Sequence, residues 1–567
     1  MSSSLPSGGA AKLVSAVVVV ACAAVVVFAL LPLLLLLGIA VGLPGSLNFD
    51  ALTAVCQTKN LLALRESVVV SAGAVVVAAV VGVPLALLVE RTDVPGARAL
   101  GALGALPLAI PPYILAFAFR ALFDDRIGLA PLTTLWGGDV DSRGGIVVVL
   151  GVAFLPLVVL RLRAALSVID GSLEEAARTA GASPLRALLD HTLPLTLPSL
   201  LSSLALVFVA AAASWGVPVL LGLSADPPVV VVTARIAVAL QSGGATDLRE
   251  ALGLSLALAL MAGVAFALPA VLVRGKNVVV VAGKAARPQT LPLQRWRLPV
   301  AVLAWSVIVI LVVAPLLALV LQGLLKIAGA GVVIDNFGLV HVRRVLARAD
   351  VQHAAFDSLW LAAGAAIVVV VASVVIGTAL QRSTGRLRRA LQATRLTAEL
   401  VYALPGTIVA VGLVLAFSQE IRVIVAERLT LALVLGGSTA LVLIAYAIKH
   451  AALGLRAVDV ALGQVHPSLE EAARTSGAPA GQAFVDVTLP LLRAHLVAAA
   501  VAIALPCFTE LTMSVLLQAP GTQTLGVVLF SLYDYGDPQQ AMALSSLLVA
   551  FVLVAQLGLS RLRRRSP

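Results

Sequence analysis

SLEEAARTAGASPLRALLDHTLP runs from Ser172 to Pro194, and SLEEAARTSGAPAGQAFVDVTLP runs from Ser468 to Pro490. The copies keep an offset of 296 residues without a gap and share an identical SLEEAART core. A repeat at this spacing divides the chain into two halves of one design. Each copy has the local chemistry of a short helix, a turn and a second helix. Ser172 with Glu175, and Ser468 with Glu471, have the S-x-x-E spacing of a capping box. Ala176-Ala177 and Ala472-Ala473 favour helix and leave a low-profile face for close packing. Gly181 and Gly477 supply the left-handed residue that ends such a helix. Ser183-Pro184 suits a new N-cap and first turn, and Ala478-Pro479 is a weaker start. Leu193-Pro194 and Leu489-Pro490 are expected to end the second helix and turn the chain into the next segment.

The surroundings of the two copies are apolar. Of 567 residues, 60% are apolar and 12% charged, where a soluble domain carries about 25% charge. That leaves too little polar surface for a soluble enzyme, and points to membrane spans of ~20 residues. Apolar segments lie near 13–41, 67–89, 99–119, 144–163, 195–221 and 251–273, then near 298–325, 358–380, 397–417, 429–448, 491–517 and 540–560. Each repeated segment falls between the fourth and fifth span of its half. Six is an even number, so the halves run in parallel, related by a pseudo-two-fold axis along the membrane normal. The expected fold is an all-α polytopic membrane protein of about 12 transmembrane helices in two six-helix repeats. Residues 1–274 form the first repeat, 275–297 a basic cytoplasmic linker, and 298–567 the second repeat.

The net charge of +11 is distributed rather than concentrated. Placing the N-terminus in the cytoplasm gathers the basic excess on the cytoplasmic side and leaves the outside net acidic, as the positive-inside rule requires. Arg274, Lys276, Lys284, Arg287, Arg295 and Arg297 give the linker six basic residues and no acid. The Arg382–Arg395 loop and the Arg561–Arg565 tail are similarly basic. Because these clusters alternate with spans, they read as topology anchors and not as a nucleic-acid surface. Lys12 precedes an apolar run from Leu13 to about Val41, twice the length of a signal-peptide core, which reads as a retained first helix. Cys22, Cys56 and Cys507 form no CxxC pair, so neither a disulfide framework nor a thiolate metal site is expected. His191, His450, His466 and His495 fall at the cytoplasmic side and His341 and His353 in an outside loop, as solvated histidines. No metal site and no catalytic residue is expected.

The duplicated segment resembles the EAA loop of binding-protein-dependent ABC importer permeases, whose pattern is E-A-A-x3-G-x9-I-x-L-P. Both copies match the Glu, both Ala, the Gly and the Leu-Pro; they depart at the apolar position, which is His191 in one and Val487 in the other. The resemblance implies the type I importer permease fold and a coupling helix seated in a cytoplasmic ATPase subunit. It places docking on Glu175, Ala176, Ala177 and Gly181, and on Glu471, Ala472, Ala473 and Gly477. Glu174, Arg178, Glu470 and Arg474 are expected as rim contacts. The chain has no GxxxxGK[ST] phosphate loop, so ATP and Mg would be held by partners. Two coupling helices imply two ABC ATPase subunits, alongside an extracytoplasmic solute-binding protein and membrane lipid. The implied location is the bacterial inner membrane with both termini cytoplasmic.

Further stretches narrow the resemblance. LPLAIPPYILAFAF (Leu106–Phe119), YALPGTIVAVGLVLAF (Tyr402–Phe417) and RTDVPG (Arg91–Gly96) are similar to segments of ferric-iron-type importer permeases, as is the fused double-length format. FTELTMSVLLQAPGTQTLGVVLF (Phe508–Phe530) resembles a further segment of that group, with Thr512 in place of a proline. Ferric iron is therefore the implied cargo. Thiamine and phosphonate importers use similar fused permeases. Pro111, Pro112 and Pro405 lie inside spans, where a lost backbone bond kinks the helix; they either set packing geometry or line the pathway. Glu510, about twenty residues past Pro490, is expected near the outer face, in a vestibule or at the water interface. A secondary carrier driven by ion gradients is the alternative class. It calls for ionisable residues buried at mid-span, which the expected spans almost lack.

Overall fold

The computed structural model describes residues 9–43, 48–124, 139–169, 172–242, 244–274, 290–417, 421–426, 429–433, 436–517 and 521–565. Most of the linker expected at 275–297, including Lys276, Lys284 and Arg287, lies outside the described residues, as do the side chains of the Arg561–Arg565 tail. The helices that build the spans and the repeated segments are, in chain order, α1 (Gly9–Ala40), α2 (Thr58–Arg91), α3 (Ala97–Ala105), α4 (Pro112–Leu122), α5 (Arg143–Ser167), α6 (Ser172–Thr179), α7 (Leu193–Ala213) and α8 (Ala245–Val273). The second half supplies α9 (Arg297–Ile308), α10 (Ala314–Leu324), α11 (Ala349–Arg382), α12 (Gly385–Ala403), α13 (Gly406–Phe417), α14 (Thr439–Leu462), α15 (Pro467–Thr475), α16 (Leu489–Phe508), α17 (Thr512–Leu516), α18 (Leu525–Tyr535) and α19 (Pro538–Arg565). Among the described residues ten helices are long and apolar enough to cross a membrane, or twelve if each of two bent pairs is one span.

The structure departs from the expected fold in three places. The span expected at 429–448 lies further on, at Thr439–Leu462, and Ile421–Ala426 pairs antiparallel with Leu429–Leu433 as a two-stranded hairpin. Val, Ile and Leu in that stretch read as membrane helix by hydropathy, yet β-branched residues suit a strand equally. The third span of each half is broken: α3 and α4 meet at 111°, α12 and α13 at 114°. Pro111, Pro112 and Pro405 sit at these breaks, where a missing N–H and a restricted preceding residue do least damage.

The third departure is at the Leu-Pro pairs. The chain does not leave the helix at Leu193-Pro194 or Leu489-Pro490. Leu188–Thr192 and Phe484–Thr488 form π turns that run directly into α7 and α16. Leu193 N–H donates to the Leu188 carbonyl and Leu489 N–H to the Phe484 carbonyl, five residues back. The widened turn moves aside the carbonyl that the next residue, proline, would otherwise strike. Val309–Val313, ahead of Pro315, repeats the device.

The described chain forms two compact units. One holds residues 51–346 with 532–550, the other residues 1–50, 347–531 and 551–567. In the first, α2 lies along α5 at close range. A Cβ on Gly151 would come within 2.5 Å of Val77 Cβ, the small-residue contact that membrane helices use in place of a hydrophobic driving force. In the second, α11 lies along α14 in the same way, and a Cβ on Gly454 would come within 2.5 Å of Ser373 Oγ. Both fourth spans begin at a serine N-cap: Ser142 Oγ accepts from Gly145 N–H and Ser438 Oγ from Leu441 N–H.

The first span of each half packs in the other half's unit. Ala301, Ala304 and Ile308 of α9 form a core with Leu85, Leu100 and Val159. Val18 of α1 joins Ile376, Leu391, Ala398 and Leu455, with Cys22 and Val25 against them. When Pro32 is aligned with Pro315, Val18, Ala21, Cys22 and Val25 fall on Ala301, Ala304, Trp305 and Ile308, so the same face is buried in both.

Candidate coupling site

Both repeated segments fold alike. Helix α6 ends on Gly181 at φ +93° and α15 on Gly477 at φ +96°. Ala182 N–H reaches back to the Ala177 carbonyl at 3.0 Å and Gly181 N–H to Arg178 at 2.9 Å. Ala478 to Ala473 at 3.1 Å and Gly477 to Arg474 at 3.0 Å repeat this Schellman pair. A Cβ at either glycine would meet nothing within 4 Å, so conformation alone requires glycine there. The following helix starts with Ser183 Oγ accepting from Arg186 N–H at 3.3 Å, whereas Pro479 supplies no side-chain cap. The capping-box expectation is corrected in the second copy. Its N-cap is His466, whose Nδ1 accepts from Ser468 N–H, with Pro467 in the first turn. In the first copy the Ser172 side chain lies outside the described ones.

Glu174, expected at the rim, points inward instead, and Glu470 is partly covered by its own unit. Glu174 is buried, accepts from Thr192 Oγ1 at 2.5 Å and lies 3.6 Å from Arg91 Nη1. Arg91, the last residue of α2, is fully buried and its Nη2 donates to the Leu166 carbonyl at 2.9 Å and the Ile169 carbonyl at 3.2 Å. In the second copy Arg382, the last residue of α11, grips Glu470 through Nη2 at 2.7 and 2.6 Å, and Thr488 Oγ1 donates to Glu470 at 3.1 Å. The Arg382 guanidinium also stacks on Phe484. Each first glutamate therefore ties the short helix to the end of the second span and to the π turn of the next helix. A buried carboxylate is tolerated only with such partners.

The second glutamates face outward. Glu175, Ala176, Arg178 and Gly181 are exposed with Ala177 half-buried; Glu471, Ala472, Arg474 and Gly477 are exposed with Ala473 half-buried. Each unit thus presents a small-residue face ringed by charge on a helix braced from behind. His191 is exposed and Val487 half-buried.

Glu510 is held at a helix start. Its carboxylate accepts from Met513 N–H and Ser514 N–H, both at 2.9 Å, and caps the start of α17. Lys449 interacts with it electrostatically. Lys449 lies in the middle of α14 and donates to the Tyr402 carbonyl at 3.0 Å and to the Leu404 carbonyl, at the open end of α12 beside Pro405. These two charges satisfy the ends of interrupted helices. His450, expected at the cytoplasmic side, is buried in the same helix, its Nδ1 3.0 Å from the Tyr446 carbonyl. His341 is buried rather than solvated, with Nε2 3.2 Å from the Lys326 carbonyl. Lys449 was concealed in the sequence because the expected span stopped one residue short of it. The signal was a lone lysine in IAYAIKHAALGL (Ile444–Leu455).

Outside the spans, Asp141 pairs with Arg120 of α4 at 2.6 Å. Burial pushes the Asp141 carboxyl up to about 6, against the pull of Arg120 and with the help of Asp139.

The family described as binding-protein-dependent transport system inner membrane component matches residues 78–282 and again residues 370–565. The chain belongs to this family. Each match holds one copy of the repeated segment. Among similar proteins, the molybdate/tungstate transport system permease protein WtpB of Thermococcus kodakarensis is 30% identical over 154 residues, covering 27% of this chain and 58% of the relative. The putative 2-aminoethylphosphonate transport system permease protein PhnV of Salmonella paratyphi A is 31% identical over 163 residues, covering 29% and 57%. The molybdenum transport system permease protein ModB of Escherichia coli is 33% identical over 156 residues, covering 27% and 68%. The match thus spans less than two thirds of the first two relatives. None of these three names ferric iron.

Proposed function

We propose that the chain is the membrane-spanning permease subunit of an ATP-driven importer, moving cargo delivered by an extracytoplasmic binding protein into the cytoplasm. Two cytoplasmic ATPase subunits seat α6 and α15, and both termini lie on their side of the bacterial inner membrane. The observation that carries this reading is the paired outward face, Glu175-Ala176-Ala177 and Glu471-Ala472-Ala473, braced in each unit by an Arg–Glu–Thr contact. Small alanines admit close approach, and the brace passes a push on the short helix to two spans at once. Residues 1–274 and 298–567 act as the two permease repeats.

The cargo is a small oxyanion. The names of the relatives support this, in place of the ferric iron implied by the sequence. Ferric iron is the second reading, favoured by RTDVPG and the fused format. A gradient-driven carrier is not favoured, since Lys449 and Glu510 are engaged at helix ends. The test is uptake into proteoliposomes holding the chain with its ATPase and binding protein, over molybdate, tungstate, 2-aminoethylphosphonate, ferric iron and thiamine. ATP-dependent uptake of one oxyanion is expected. Ferric uptake would select the second reading, and uptake without any ATPase would overturn the importer assignment.

A further inference from the structure

An apolar groove of about 630 Å³ runs between α1, α11 and α14, lined among others by Val17, Ala24, Phe28, Val371, Ile376 and Leu455. Ser373 is its one polar lining residue among the described ones. All three helices belong to one unit. Val17 lies near the start of α1, and Ile376 lies six residues before Arg382, the end of α11. With the N-terminus cytoplasmic, as proposed above, this end of the groove is in the inner leaflet.

The chain turns there through Ser383 and Thr384 into α12. From Arg382 to Ala398 the sequence has five arginines and no acid. Arg382 and Arg395 are spent on Glu470 and Asp459. Arg386, Arg388 and Arg389 are exposed and make no ion pair among the described residues. Leu387 between them is 41% exposed, which suits a helix start lying at a membrane surface. A basic cluster next to a span on the cytoplasmic side attracts anionic headgroups.

The first half lacks this arrangement. There α3 carries only Arg98, and the corner between α2 and α3 is sealed. Trp305 Nε1 donates to the Pro95 carbonyl at 3.2 Å, Arg297 Nε to the Asp93 carbonyl at 3.0 Å, and Leu293 N–H to Asp93 Oδ1 at 2.8 Å. Aligning Pro32 with Pro315 places Cys22 where Trp305 stands. A small thiol cannot fill the space of an indole.

We propose that the α1–α11–α14 groove holds an acyl chain of an anionic phospholipid whose phosphate is gripped by Arg386, Arg388 and Arg389. It rests on the proposed orientation for its leaflet only; lipid retention is read on purified protein without transport. The purified full chain is incubated with equal amounts of phosphatidylglycerol and phosphatidylcholine, and retained lipid is counted by native mass spectrometry. Phosphatidylglycerol is expected in excess by about tenfold or more. R386Q/R388Q/R389Q should bring it down to the phosphatidylcholine level. A24F and V371F, which fill the groove from opposite walls, should each lower retention at an unchanged melting temperature, and one such variant suffices if the other fails to fold. Added glycerol 3-phosphate should leave the lipid in place. Equal retention of both lipids, indifference to the arginine substitutions, loss with the arginine variant but not with a folded groove variant, or displacement by glycerol 3-phosphate would each overturn the proposal.

Discussion

Glu174 and Glu470 occupy equivalent positions, yet their removal has unequal consequences. Glu174→Ala leaves the buried Arg91 guanidinium without its counter-charge, which costs about 3 kcal/mol or more. Glu470→Ala frees Arg382, whose side chain is 45% exposed, and costs about 1 kcal/mol. Thermal melting of the two purified variants should rank them in that order. Asp141 offers a pH test. Its carboxyl is raised in the folded chain to about 6, so the folded state binds that proton more tightly than the unfolded chain. The associated stability is present at low pH and is lost as pH rises from about 4 to about 7. Asp141→Asn should flatten the melting temperature across that window. The outward residues of this site were legible in the sequence, because capping, small side chains and a terminal glycine leave local signatures. The bracing role of Glu174 and Glu470 was not. Its partners, Arg91 and Arg382, lie 83 and 88 residues away, and nothing local marks which glutamate of a pair turns inward.

The short helix and its neighbour act as one element because the π turn makes them continuous with a span. Deleting Asp486 would tighten Phe484–Thr488 toward an α turn and rotate α15 by about 100° against α16. Uptake by the assembled transporter should then be lost while the chain still inserts. Retained uptake would show that the register of the π turn is immaterial to coupling. Hydropathy located most spans here, since a run of Val, Leu and Ala is apolar on every side. It failed at 429–448, where strand and helix compete for the same residues, and at the broken third spans. Those breaks depend on Lys449 and on paired prolines, so their cause is partly remote in the chain.

Two repeats were legible from the duplicated loop alone, and the matches to residues 78–282 and 370–565 agree. The placement of α1 against α12, and of α9 against α3, was not legible, because an apolar span carries no record of which repeat it joins. Cys22 packs against the core that holds Leu391 and Ala398, on either side of Thr394 in α12. Thr394→Cys should therefore cross-link to Cys22 with a short thiol reagent, and failure would contradict the exchanged first span. At this scale the central claim is that two braced helices receive force from two ATPase subunits. Its most direct test is co-purification of the ATPase with E175A/E471A, alongside uptake. The expected result is a chain present in the membrane at normal level, with ATPase association weakened and transport abolished. Normal association together with normal uptake would contradict it.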